Sequence, residues 1–218
     1  MPSMSRSERA ALCNTALDAG ESAPTLSGSW TVKDLVIHLL VRERDPVGAP
    51  GIVFSPLQRL TDWSSRRLTH EDFATLVERV RSGPPRWSPM SVGAVDRALN
   101  TLEYFVHHED IRRAAPGWKP RELTEREQRA LWKAIAVAGK GLVRPAGVPV
   151  ELRWPDGEVA ADRGPRTTVL RAGPDPVVVS GPPAELVLFC FSRSQNVGLE
   201  LSGPPDSVQA LAKGRLEL

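Results

Sequence analysis

The chain has 218 residues, 41% of them hydrophobic and 25% charged, and 28 basic against 26 acidic side chains leave a formal net charge of +2. That length allows one large domain or two small ones with a real core. The charge balance and the lack of a Lys/Arg block argue against a nucleic-acid partner, and no apolar run approaches the ~20 residues of a membrane span. The opening M-P-S-M-S-R-S-E-R lacks the apolar stretch of a signal peptide. Cys13 and Cys190 are isolated. A reducing cytoplasm is therefore the expected location, and both thiols read as small buried residues.

The first two-thirds of the chain read as helices. Residues 5–19 favour a helix that stops at Gly20. At Trp30-Thr31-Val32-Lys33-Asp34-Leu35, Thr31 can cap, Asp34 completes a capping-box variant and Trp30 can staple onto Leu35. Val32, Leu35, Val36 and Leu39 then trace an amphipathic stripe that should end before Pro46. Leu68-Thr69-His70-Glu71-Asp72-Phe73 repeats the pattern, with Thr69 as cap, for a helix reaching Gly83. A fourth helix is expected over about 92–115, with Val95, Leu99, Leu102 and Val106 on its apolar face. The fifth opens on the capping box Thr124-Glu125-Arg126-Glu127 and turns Leu131, Ile135 and Ala138 inward. Long helices with Pro/Gly-containing connections predict a bundle over 1–146.

From residue 147 to 218 the pattern predicts a small α+β domain. V-P-V-E-L-R-W, E-V-A-A-D-R, T-T-V-L-R and P-V-V-V read as strands, with a P-D-G turn after the first. Two S-G-P-P turns each lead from a strand into an amphipathic helix, with proline in the first turn, where a missing N–H costs nothing. They lack the glycine spacing and Lys-Ser/Thr of a phosphate loop.

N-T-L-E-Y-F-V-H-H-E-D, residues 100–110, is the densest set of groups able to hold a proton or a metal. On a helix, Asn100, Glu103, His107 and Asp110 share an arc beside the apolar stripe. Glu103 and His107 are i, i+4 neighbours, close enough to bind one cation and costly to desolvate unpaired. His38, among Ile37, Leu39, Leu40 and Val41, is the only ionisable group between Asp34 and Arg42. Two imidazoles and a carboxylate suit zinc with a position left open; nickel and iron(II) share the ligand type. On spacing alone, His38 also reads as a core histidine and Glu103–His107 as a helix-stabilising pair. His70 reads as exposed, His108 as solvated and Tyr104 as packing.

G-S-W-T-V-K-D-L-V-I-H-L, residues 28–39, resembles the G-W-T-V-x-D-L-x-x-H-L segment of the DinB-like bundle superfamily, especially its mycothiol-dependent maleylpyruvate isomerase branch. N-T-L-E-Y-F-V-H-H-E-D-I-R, residues 100–112, is similar to that branch's E-x-x-x-H-x-x-D-x-R helix. R-A-A-L-C-N-T-A-L, V-R-E-R-D-P and S-G-P-P-R-W-S-P resemble an actinobacterial subfamily known only as metal-binding. The resemblance implies an up-and-down DinB-like bundle followed by a sterol-carrier-like α+β domain, with His38, Glu103 and His107 as metal ligands. A zinc-dependent enzyme is then expected, using mycothiol to isomerise or S-conjugate an electrophilic small molecule. Asp110 is expected to orient a ligand imidazole, Asn100 to contact substrate and Arg112 to meet an anionic group. The alternatives are a non-catalytic metal- or small-molecule-binding protein and a metal-dependent hydrolase. A monomer or homodimer is expected.

Overall fold

The computed structural model describes residues 3–85, 94–142, 147–155 and 166–213. The chain divides into two compact units, Met1–Lys119 and Pro120–Leu218. Among the described residues no helix is long and apolar enough to cross a membrane.

The first unit is helical: α1 (Met4–Ala19), α2 (Val32–Arg44), α3 (Pro50–Val53), a 3-10 turn (Ser55–Leu57), α4 (Gln58–Leu68), α5 (Phe73–Arg81) and α6 (Ala94–Ala114). α1 stops at Gly20, whose φ of +86° is open to glycine and strained for other residues; its N–H donates to the Ala16 carbonyl. α2 starts as the sequence predicts. The Asp34 N–H donates to Thr31 Oγ1 (3.2 Å), and the Thr31 N–H donates back to Asp34 Oδ2 (2.9 Å). α5 differs from expectation. Its cap is Asp72, which accepts from the Thr75 N–H at 2.9 Å, and the Thr69 hydroxyl instead turns back to the Arg66 carbonyl. A helix accepts whichever oxygen sits one residue before its first turn, and here that is the later candidate.

Leu12, Cys13 and Ala16 of α1, Leu35, Val36, Leu39 and Leu40 of α2, Leu76, Val77 and Val80 of α5, and Tyr104 of α6 form one core. Each fully buried leucine there contributes about 1.5–3 kcal/mol. Burial pushes the Cys13 thiol up to about 11, which makes it an apolar filler. Over residues 100–111 α6 is buried almost all round. α1 lies along it and covers the side that the sequence pattern assigns to solvent. His108, expected to be solvated, is only 4% exposed. Its ring nitrogens contact Glu8 Oε2 and Thr15 Oγ1, both at 3.0 Å and both from α1. Tyr104 is fully buried as expected, and its hydroxyl donates to Glu43 Oε1.

Glu43 has a measurable consequence. Its Oε2 is buried without a hydrogen-bond partner, and burial pushes the carboxyl up to about 7 against the partial opposition of Arg9, Arg42 and Arg44. A carboxyl raised in the fold holds its proton while the unfolded chain loses it. Stability contributed by this group is therefore fully present below pH 4.5 and declines until about pH 7. The span amounts to about 3 kcal/mol. Glu43→Gln should remove this slope, so urea unfolding at pH 5 and pH 8 should show the gap between variant and wild type shifting in the variant's favour as pH rises. A pH-independent gap would show Glu43 ionised throughout.

The second unit holds α7 (Glu125–Leu142), β1 (Val150–Arg153), β2 (Thr167–Arg171), β3 (Val177–Ser180), α8 (Pro183–Cys190), β4 (Glu200–Ser202) and α9 (Pro205–Lys213). The sheet order is β2-β1-β3-β4, with β1 and β3 parallel and both outer pairs antiparallel. Val150 pairs Val177 and Leu152 pairs Val179, so one face of the central strands is continuous and buried. Both S-G-P-P turns lead into helices beginning at proline, as expected. The P-D-G turn and the E-V-A-A-D-R strand fall largely outside the described residues.

The sequence reading places the domain change at 146/147, whereas the units divide after Lys119. The cause is α7, which packs on α8 and β2, and whose Gln128 Oε1 accepts from the Ala184 N–H (3.0 Å) at the start of α8. α7 has the capping box and the buried Leu131 and Ile135 that its pattern predicts. An amphipathic stripe states that a helix packs, not what it packs against.

Candidate metal centre

α2 and α6 bring His38, Glu103 and His107 together. One ligand atom from each lies within 4.8 Å of the other two. The His38 and His107 rings meet edge-on with centroids 5.2 Å apart, and His107 Nε2 stands 3.4 Å from Glu103 Oε2. Ligands about 2.1 Å from a tetrahedral zinc stand about 3.4 Å from one another. The Glu103–His107 pair is thus already at ligand spacing, and His38 offers the third donor within 4.8 Å of both. This donor set fits a divalent metal of the zinc type.

The surroundings fix the chemical state of each donor. His107 Nδ1–H donates to Asp110 Oδ2 (3.0 Å), and the Ser27 hydroxyl donates to the same oxygen (2.8 Å). An oxygen accepting twice keeps a proton on Nδ1, which leaves Nε2 as the nitrogen directed at Glu103. Burial drives His38 down to about 3, helped by the neighbouring His107, which leaves a neutral imidazole. Burial works against ionised Glu103, yet Arg42 and His107 outweigh it and hold the carboxyl well below its usual range. Burial likewise opposes His107, but its bonds to Asp110 and Glu103 push it up to about 9. The pocket concentrates negative charge around one imidazole, and a bound dication would take over the balancing role of that proton.

Two neighbours frame the site. Arg42, one turn after His38, places Nε 3.7 Å from Glu103 Oε2 and donates through Nη1 to Asn100 Oδ1 at 2.8 Å. Trp30 packs on His38 with ring centroids 5.0 Å apart and keeps 36% of its surface exposed. Of the residues singled out from sequence, Asp110 lies against His107, and Asn100 holds Arg42 from a buried position. Arg112 is engaged elsewhere, donating to Glu109 Oε1 (2.9 Å) and to the Lys119 carbonyl (3.3 Å). His70 is exposed, as expected.

Sequence reasoning missed Arg42 and Ser27. Arg42 was legible in principle, since i+4 from His38 places it on the same face. Ser27 carries no such signal, because it sits in a loop without periodicity. Comparison of the chain with protein-family models, curated proteins and solved structures found no match.

Proposed function

We propose that the chain is a zinc-dependent enzyme that uses a small thiol, mycothiol by resemblance of its two ligand-bearing helices, to isomerise or S-conjugate an electrophilic small molecule. The observation that carries the metal part is the convergence of His38 with Glu103 and His107 within 4.8 Å from helices far apart in sequence. The cluster found among the described residues has three members, the number that leaves a coordination position for an exogenous ligand.

When bound there, a dication supplies the positive charge that favours the ionised form of a thiol. The protein's own residues prepare for it. Asp110 holds the His107 ring by its far nitrogen, so the near nitrogen would offer its lone pair once a dication had displaced its proton. Arg42 keeps Glu103 ionised and fixes its carboxylate from one side. His38 stays neutral, as a ligand imidazole must. The low exposure of His107 and the Trp30 ring over His38 limit water at the centre and strengthen its electrostatics.

The test is spectroscopic. Cobalt-substituted protein should develop sulfur-to-metal charge-transfer absorption on addition of mycothiol. Apparent affinity should rise with pH until the bound thiol is fully ionised. Cysteine should bind more weakly, lacking the sugar and inositol parts that recognition would use. A cobalt spectrum unchanged at saturating mycothiol would overturn the thiol chemistry and leave a hydrolytic or structural metal.

A further inference from the structure

The segment between α1 and α2 reaches both histidines of the centre, His38 directly and His107 through Asp110. Ser27 donates its hydroxyl to Asp110 Oδ2 (2.8 Å), the oxygen that holds His107 Nδ1. Three residues later, the Trp30 ring lies 5.0 Å from that of His38. Thr25 ties these two contacts together. Its hydroxyl donates to the Trp30 carbonyl (2.9 Å) and accepts from the Ser27 N–H (3.2 Å), while the Trp30 N–H returns to the Ser27 carbonyl (3.2 Å). The Leu26 N–H anchors the segment to α6 by donating to the Asp110 carbonyl (3.1 Å).

We infer that the Thr25–Trp30 loop is the positioning element of the metal centre, with Ser27 setting the His107 ring through Asp110 and Trp30 setting the His38 ring. The inference rests on the metal reading above and goes beyond it by giving the ligand geometry to a loop that supplies no ligand. Attaching the loop to α6 requires only the Leu26 backbone bond. The Ser27 hydroxyl adds something different: it occupies a second acceptor direction of Asp110 Oδ2 and so opposes rotation of that carboxylate away from His107. Asp110 is fully buried, so losing this donor is not repaired by solvent. Ser27 is a positioning residue: it acts on the metal only through Asp110 and His107.

The experiment titrates metal-stripped full-length chain with cobalt(II) against a chromophoric chelator and records the visible d–d bands. Ser27→Ala should weaken cobalt binding about 10-fold or more and alter the band envelope, in the range usual for partners of ligand side chains. Ser27→Thr, which keeps the hydroxyl, should restore both. Equal affinity and an identical spectrum in Ser27→Ala would overturn the inference while leaving the metal centre standing. Cobalt that fails to bind the wild type, or binds His38→Ala undiminished, would overturn the metal reading and this inference with it. If Ser27→Ala fails to fold, proton NMR of the unmutated, zinc-loaded chain decides. A slowly exchanging His107 Nδ1–H with a cross-peak to the Ser27 β-protons supports the clamp, and a fast-exchanging one overturns it.

Discussion

Chain expressed in zinc-replete medium and purified without a metal-affinity tag should carry about one zinc per molecule, and His38→Ala and His107→Ala should carry essentially none. The effect is large because a three-donor site has no spare ligand. Removing one leaves two donors, and the affinity gained by chelation collapses. His70→Ala should keep full occupancy, since that histidine is exposed in the turn between α4 and α5. Elemental analysis of folded protein, checked by circular dichroism, gives the readout. The two variants are not equivalent. His107→Ala also removes a donor from the buried Asp110, so it should lower thermal stability more than His38→Ala does. Full zinc in His38→Ala would refute the pairing of α2 with α6 as a metal centre.

Arg113→Met should cost the first unit about 3–5 kcal/mol. Arg113 Nε lies 2.6 Å from Glu109 Oε2, with the arginine 2% and the glutamate 1% exposed. Methionine fills the volume of the aliphatic stem but takes one cationic partner from a carboxylate buried away from water. It also removes the guanidinium stacked 4.7 Å from the Trp118 ring. Arg112 contacts the other oxygen of Glu109, which pulls the expected loss toward the lower end of that range. Adding Glu109→Leu to Arg113→Met should recover much of the stability, because an incompletely balanced buried charge is the costly part. Urea unfolding followed through the helical signal measures both. A single-variant loss below about 1 kcal/mol would show that Arg112 alone suffices for Glu109.

The elements readable from sequence were those whose signals are local. The capping box at Thr31 and Asp34, Gly20 after α1 and the proline-opened helices after each S-G-P-P turn all depend on residues within a few positions of one another. The candidate site was half legible for the same reason. Glu103, His107 and Asp110 follow one helix's periodicity, and His38 stands out as the one ionisable group in an apolar run. What failed was everything set by a partner at a distance. The burial of His108 depends on Glu8 and Thr15, which lie 100 and 93 positions away in the sequence. The unit to which α7 belongs depends on α8 and β2. Asp72 displaced Thr69 as a cap because both satisfy the local pattern and only the path of the chain decides.

The burial of α6 has a consequence for how freely this protein can vary. Eleven of the twelve residues from Asn100 to Ile111 are buried and the twelfth, Glu103, is half-buried. An ordinary surface helix offers a solvent face on which substitutions are nearly silent. This segment has no such face: a change toward α1 breaks the Glu8–His108 contact, and a change toward α2 disturbs the donors. Its hydrogen bonds also lack an exposed side from which to open locally, so they break only when the surrounding packing does. Glu103 and His107 are therefore carried by a segment with few routes to local opening, so any ion taken there would have to suit their spacing.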